Sequence, residues 1–180
     1  MIEQKMKREE KTDVTQTLQE KIDLYSGMLY KIAFLQLQNY QDAEDVVQDT
    51  FYRYIKASPV FESGEHERAW FIKVTLNGCR KVFRCAWYRH RDALPVPELA
   101  EESSMEQDLV KREQRRELLA AVFELPGKYR EVLHLFYFEE LPIKRIAEVT
   151  GRKESTVTSQ LTRGRELLRK KIREEYQYEF

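Results

Sequence analysis

The feature that most constrains the fold of this 180-residue chain is the residue pattern of its last third, residues 138–172. Pro142 suits the first position of a helix, where its missing N–H costs nothing. Three apolar residues then follow at helical spacing, namely Ile143, Ile146 and Ala147. Gly151 ends this helix, because glycine tolerates the left-handed conformation that helix ends often need. A longer helical pattern starts about three residues later, so the sequence predicts a helix-turn-helix.

The second helix of this motif has a composition suited to DNA. Residues 152–173 carry eight Lys or Arg against two Glu, a local charge of +6. In a helix-turn-helix the second helix enters the major groove and uses its N-terminal residues on base edges. A solvated basic face that only complements the helix dipole is the alternative, but the combined pattern favours nucleic acid. The residues predicted to contact duplex DNA are Arg152, Lys153, Ser155, Thr156, Thr158, Ser159, Gln160, Arg163 and Arg165.

Charge is distributed unevenly along a chain whose net charge is zero. Residues 66–91 hold seven Lys or Arg against one Glu, whereas residues 93–110 hold five acids and no base. Basic patches separated by an acidic segment suit a protein that touches nucleic acid at two places. The two cysteines and the absence of an apolar run or signal core predict a reducing, cytoplasmic location.

The predicted fold class is all-α, with two small helical domains joined by an acidic flexible linker. The first domain is predicted over residues 14–92 and the linker over 93–107. The second, over 108–176, is a four-helix domain that ends in the helix-turn-helix. Residues 1–13 are predicted to be a disordered tail.

A helix predicted from Gln41 to Lys56 carries an acidic exposed face. This face comprises Asp42, Glu44, Asp45, Gln48 and Asp49. The acids could merely start the helix and keep it soluble, or the face could dock on a basic partner. Metal binding is disfavoured because no second carboxylate cluster or His lies nearby to complete a shell.

A further helix predicted from Glu67 to Trp87 has cations and an amide outside, at Lys73, Asn77, Arg80, Lys81 and Arg84. Phe83, Trp87 and Tyr88 interleave with these cations and could stack on unpaired nucleotides. Phe61, in the preceding loop, is apolar without an obvious core role. Taken singly, an aromatic such as Trp70 is more often part of a core.

Three segments together resemble bacterial sigma factors of the extracytoplasmic-function group (group 4 of the sigma-70 family). DAEDVVQDTF (42–51) resembles the segment that binds the coiled-coil clamp helices of the largest RNA polymerase subunit. ERAWFIKVTLN (67–77) is similar to the stretch that leads into the helix reading the promoter −10 element. TVTSQLTRGRELL (156–168) resembles the helix that reads the −35 element. Lys153, Ser155 and Gln160 depart from the Ser, Gly and Arg usual in the family.

The resemblance implies a role for each surface. The acidic face would dock on core polymerase, whose flap is also an expected partner. Phe61 and Trp70, with Tyr88, would trap a flipped base of the opened −10 strand, and the row from Lys73 to Arg84 would hold that strand. The last helix would read the −35 duplex. Control by an anti-sigma factor, often membrane-anchored, and a role in a stress response are also implied. No cofactor, metal or covalent chemistry is expected of the chain.

Two other classes of protein remain as alternatives. A stand-alone helix-turn-helix regulator would bind duplex DNA but would not need an acidic docking face or a single-strand site. An enzyme would need a nucleophile and base in register, and the three His residues lie in unrelated contexts.

Overall fold

The computed structural model describes the backbone of residues 2–85 and 118–176 and the side chains of residues 18–85 and 118–173. Within these ranges the regular elements are α-helices and no strand occurs, which confirms the predicted fold class. The chain divides into two compact units, Met1–Arg89 and His90–Phe180. The predicted linker over 93–107, together with Tyr88, lies outside the described residues.

The first unit consists of α1 (Ile2–Leu37), α2 (Tyr40–Ala57) and α3 (Gly64–Arg84). Helix α1 begins at Ile2, where a disordered tail over 1–13 was expected and a helix was predicted only from about Val14. The apolar spacing does not extend into this stretch. It is nevertheless rich in Glu, Lys, Gln and Arg and lacks Gly and Pro, so its backbone propensity continues the helix.

Side-chain caps define where α2 and α3 begin. The Asn39 side chain accepts a hydrogen bond from the Asp42 N–H at 3.0 Å, and the Ser63 hydroxyl accepts one from the His66 N–H at 3.1 Å. Such caps satisfy N–H groups that have no partner inside the helix. Because Ser63 supplies this acceptor, α3 begins at Gly64 rather than at the predicted Glu67.

The core of the first unit is formed where the three helices meet. Phe71 of α3 is fully buried, and its ring centroid lies 4.6 Å from that of Tyr25 and 5.6 Å from that of Phe51. The apolar stripe of α2 is buried at Ala43, Val46, Val47, Thr50 and Phe51, whereas Tyr54 is half-buried. This burial leaves the acidic side of α2 facing solvent.

The second unit contains four described helices: α4 (seen over 118–124), α5 (Gly127–Tyr137), α6 (Ile143–Thr150) and α7 (Glu154–Tyr176). Helices α6 and α7 form the predicted helix-turn-helix. Gly151 adopts the left-handed conformation with φ of 69° and ends α6, while Pro142 immediately precedes its first residue. Val157 and Leu161 of α7 are buried with Ile146 of α6 and Val132 of α5, so the motif rests on one core.

Candidate nucleic-acid interface

The acidic face of α2 lies opposite the buried stripe of that helix. Glu44, Asp45 and Gln48 are exposed, and Asp42 and Asp49 are half-buried. The Asp49 carboxylate accepts a hydrogen bond from Arg53 Nε at 2.8 Å, in a pair that is nearly half exposed. An exposed pair of this kind is worth little energetically, so the face remains anionic in character.

Two large apolar residues extend the same side of α2. Tyr52 is 60% exposed and Ile55 is 47% exposed. They follow Asp45 and Gln48 at helical spacing and lie outside the buried stripe. Their exposure follows from helical periodicity, because both positions fall outside the buried stripe of α2.

Phe61 and Trp70, the two aromatic residues predicted to contact opened DNA, lie next to each other. Their ring centroids are 5.9 Å apart in an edge-to-face arrangement. The Phe61 ring also stacks on that of Tyr54, with 6.5 Å between centroids, and Trp70 packs edge-on against Phe71. Both Phe61 and Trp70 are half-buried, so each supports the core and still presents ring surface to solvent.

The row of polar residues on α3 also forms as predicted. Lys73, Asn77, Lys81 and Arg84 are exposed and Arg80 is half-buried. The five lie along one side of the helix, three or four residues apart except for the adjacent Arg80 and Lys81. Arg80 donates to the Asn77 side-chain oxygen at 3.1 Å, and Arg84 Nε donates to the Arg80 carbonyl at 3.3 Å. These contacts order the row without neutralising its charge.

The turn of the helix-turn-helix is tied to α5 by Arg152. Its Nη1 lies 3.1 Å from Glu131 Oε1, and the two side chains are 21% and 8% exposed. Arg152 was predicted to contact DNA, and its guanidinium instead points at a buried carboxylate of its own unit. Lys153 is exposed, and its carbonyl accepts from the N–H groups of Thr156 and Val157 to begin α7.

The remaining predicted contacts of α7 fall into two environments. Ser155, Thr156, Thr158, Ser159 and Arg163 are exposed. Gln160 and Arg165 are half-buried, and Arg165 Nε donates to the Tyr137 hydroxyl at 2.8 Å. Arg163 pairs with Glu166 at 2.9 Å, and both side chains are more than half exposed.

An apolar groove of about 620 Å³ runs along α7 in the second unit. Its walls come from α4, α5 and α7 and include Val122, Leu133 and Leu168. Tyr137 and Phe138 at this groove are 55% and 59% exposed. Three arginines, at 165, 169 and 173, also line it.

Across 18–85 and 118–173 no group of three or more His, Cys, Asp or Glu is arranged to hold a metal ion. No helix within the described ranges is long and apolar enough to cross a membrane.

A helix-turn-helix with a basic second helix in one unit, and separate acidic and basic faces in the other, define a DNA-binding transcription factor. The family model for sigma-70 region 2 matches residues 22–89, and that for sigma-70 region 4 matches residues 115–168. The chain therefore belongs to the sigma-70 family and is an alternative sigma factor of the extracytoplasmic-function (ECF) type, a subunit that directs bacterial RNA polymerase to promoters.

Individual relatives agree with this assignment. The ECF RNA polymerase sigma factor SigW of Bacillus subtilis is 26% identical, covering 97% of this chain and 98% of that protein. The ECF RNA polymerase sigma factor SigE of Mycolicibacterium smegmatis is 31% identical, in an alignment that covers 81% of this chain and 57% of SigE.

Among solved structures, the fold is shared by the sigma factor RpoE from Bartonella quintana, crystallised with the anti-sigma factor NepR. The TM-score is 0.71 at 19% identity, with 89% of this chain and 99% of that chain covered. CnrH, solved with the cytosolic domain of CnrY, gives a TM-score of 0.64 at 21% identity, with 89% and 90% covered.

Proposed function

We propose that three surfaces divide the work of initiation: α2 docks on core RNA polymerase, α3 with its preceding loop holds the opened −10 strand, and α7 reads the −35 duplex. The observation that carries this proposal is the separation of charge within the first unit. An anionic face on α2 and a cationic row on α3 occupy two helices of one unit. A stand-alone duplex-binding regulator would have no use for the first of these faces.

The docking surface comprises Asp42, Glu44, Asp45, Gln48 and Asp49, together with exposed Tyr52 and Ile55. Carboxylates steer a basic partner during encounter, whereas apolar contacts at the centre of an interface contribute most of the binding energy. The same helix side provides both kinds of residue. The proposed partner surface is the pair of clamp helices of the largest polymerase subunit.

The single-strand surface combines stacking with charge. Phe61 and Trp70 offer partly exposed ring faces, and stacking of a base on an aromatic ring is worth roughly 1–3 kcal/mol. Lys73, Arg80, Lys81 and Arg84 would follow the phosphates, with Asn77 as a hydrogen-bonding group among them. A base extruded from the duplex needs a stacking surface of this kind, and the opened strand needs cations such as these along its phosphates.

The −35 surface is the exposed N-terminal part of α7. Lys153 and Arg163 would hold phosphates, and Ser155, Thr156, Thr158 and Ser159 would face the base edges. Arg152 and Arg165 would act mainly within the protein, because both are engaged by groups of the second unit.

The test of this proposal uses the full chain with bacterial core RNA polymerase. The wild type should form a complex and initiate transcription at defined sites, which sequencing of the transcripts identifies. Asp45→Lys with Asp49→Lys should abolish the complex while duplex binding is retained. The matched control is Glu20→Lys with Asp23→Lys, which makes the same charge change on exposed positions of α1. If the reversed α2 variant binds polymerase as the wild type does, the docking face is wrongly assigned.

We also propose membership of ECF group 4, a cytoplasmic location, a role in a stress response and control by an anti-sigma factor, often membrane-anchored. The two structural neighbours described above were solved in complexes with NepR and with CnrY. The exposed Tyr137 and Phe138 at the groove along α7 offer apolar surface for such a partner. An anti-sigma factor recovered from the native host should bind the wild type and lose affinity for Phe138→Asp. Equal affinity for both would remove the groove from this role.

A further inference from the structure

The solvent-facing side of α7 near its N-terminus is built from small hydroxyl residues. Opposite buried Val157 and Leu161, the exposed positions are Ser155, Thr156, Thr158 and Ser159. Short side chains of this kind bring their hydroxyl oxygens close to whatever the helix contacts. The orientation of each hydroxyl proton therefore decides which base edges the helix can accept.

Two of these hydroxyls donate their protons to backbone carbonyls of α7. Thr158 Oγ1 donates to the Glu154 carbonyl at 3.0 Å, and Ser159 Oγ donates to the Ser155 carbonyl at 2.8 Å. A carbonyl oxygen can only accept, so the proton in each bond must come from the hydroxyl. The outward side of both oxygens is left with lone pairs, and both groups face solvent as acceptors.

The first turn of α7 differs from the second in this respect. For Ser155 the carbonyl four residues earlier belongs to Gly151, which lies before the first helical residue Glu154. A hydroxyl in the first turn therefore has no helical carbonyl to bind and keeps its proton for a ligand. Ser155 and Thr156 can donate or accept, whereas Thr158 and Ser159 can only accept.

Gln160 does not change this pattern. Its side-chain oxygen is enclosed, and among the described residues no hydrogen-bond partner reaches it. Bidentate recognition of adenine by glutamine requires both the oxygen and the amide nitrogen. With the oxygen turned inward, that contact is not available from the conformation seen.

In the major groove, adenine N6 and cytosine N4 carry hydrogens that an acceptor can bind, while guanine presents N7 and O6 and thymine presents O4. We propose that the Thr158 and Ser159 hydroxyls read exocyclic amino groups, so the strand that faces Ser159 carries adenine or cytosine at that position. Guanine or thymine there would place an acceptor atom of the base against the hydroxyl oxygen, which is itself an acceptor. This inference rests on the proposed role of α7 as the −35 reader.

The test selects duplexes from a random pool with the full chain bound to core polymerase, for the wild type and for Ser159→Ala and Thr158→Val. Each variant removes one hydroxyl from an exposed position, and valine keeps the shape of threonine. We expect Ser159→Ala to relax one position at which the wild type selects adenine or cytosine, with a loss of roughly three- to tenfold in preference, as for one hydrogen bond. Ser155→Ala is the matched control and should leave that position unchanged.

A second measurement uses duplexes in which the selected base lacks its amino group, with purine in place of adenine or pyrimidin-2-one in place of cytosine. The wild type should lose affinity on this exchange and Ser159→Ala should lose less. If Ser159→Ala relaxes no position, or relaxes one where guanine or thymine was selected, the inference is overturned while the sigma-factor function stands. If the wild type with core polymerase selects no sequence at all, the proposed role of α7 itself fails.

Discussion

The Glu67 carboxylate of α3 binds the Lys21 ammonium of α1 through both of its oxygens, at 2.8 and 2.9 Å. The Tyr25 hydroxyl, also on α1, donates to the same carboxylate at 3.1 Å. Glu67 is 7% exposed and stands in the first turn of α3. This buried group therefore fixes the start of α3, the helix that carries the row from Lys73 to Arg84, to α1.

Replacing Glu67 with alanine should lower the free energy of unfolding by roughly 2–4 kcal/mol, because a buried hydroxyl and a partly buried ammonium lose their common partner. Urea unfolding of the full chain, followed by tryptophan fluorescence, measures this effect. Glu62→Ala, an exposed acid in the loop before α3, should change the free energy by less than about 0.5 kcal/mol. Equal effects of the two substitutions would contradict the role given to Glu67.

Tyr25 should make stability depend on pH in the alkaline range. Burial, and then the charge of Glu67 and its hydrogen bond, raise the pKa of Tyr25 from 10.0 to about 12. A raised pKa means that the folded state keeps a proton that the unfolded chain loses. The stabilisation is complete below pH 10 and is lost as the pH rises towards 12.

The measurement for Tyr25 compares the wild type with Tyr25→Phe in urea unfolding between pH 9 and 12, a range set by the two pKa values. The wild type should lose stability more steeply, by on the order of 2 kcal/mol across the interval. Parallel slopes for the two proteins would show that Tyr25 titrates normally in the folded state.

Gly78 and Gly27 should respond in opposite directions to alanine. A Cβ at Gly78 would lie 2.9 Å from Val46 Cγ1, on a stiff side chain in the interface of α2 and α3, whereas a Cβ at Gly27 meets nothing within 4 Å. Gly27→Ala should stabilise the protein by about 0.5–1 kcal/mol through helix propensity. Gly78→Ala should destabilise it by about 1 kcal/mol, since the clash outweighs that gain.

A double-mutant cycle checks the cause of the Gly78 effect. In a Val46→Ala background, Gly78→Ala should cost less than in the wild type, because the methyl group it strikes is gone. The same cost in both backgrounds would place the strain elsewhere.

Arg152 and Arg163 should separate structural from DNA-binding effects within the helix-turn-helix. Arg152→Ala removes the cation beside the buried Glu131 carboxylate and should lower the free energy of unfolding by roughly 2–4 kcal/mol. Arg163→Ala should leave stability within about 0.5 kcal/mol. The Arg163→Ala variant should also weaken DNA binding across sequences. The slope of the logarithm of the binding constant against the logarithm of the salt concentration should fall in magnitude by about one. If Arg152→Ala instead weakened DNA binding and left stability unchanged, Arg152 would belong to the DNA-binding surface.

Local chemistry was sufficient to predict the helix-turn-helix. Gly151 adopts the left-handed conformation that its position at the end of α6 indicates, and Val157 and Leu161 of the following helix are buried at helical spacing. The acidic side of α2 and the row from Lys73 to Arg84 follow from helical periodicity alone. Their roles in binding stay predictions.

Other features depend on contacts between distant parts of the chain. Glu67 meets a lysine 46 residues away, and nothing in the local pattern marks it as internal. In the sequence, Arg152 resembles the other cations of the basic segment, because the local pattern does not show its ion pair with Glu131. The start of α1 differs for another reason: its apolar spacing begins only near Val14, whereas backbone propensity continues the helix back to Ile2.

Glu67 and Glu131 are enclosed anions, and each is paired with a cation from another element of its own unit. Glu67 lies in the first turn of α3, whereas Glu131 of α5 holds Arg152 in the turn that precedes α7. These pairs thus fix the orientation of α3 and α7 through side chains that lie away from the surfaces proposed to bind DNA. Substitutions on the outer side of α3 or α7 can therefore change sequence preference without disturbing the buried ion pairs that hold these helices in place.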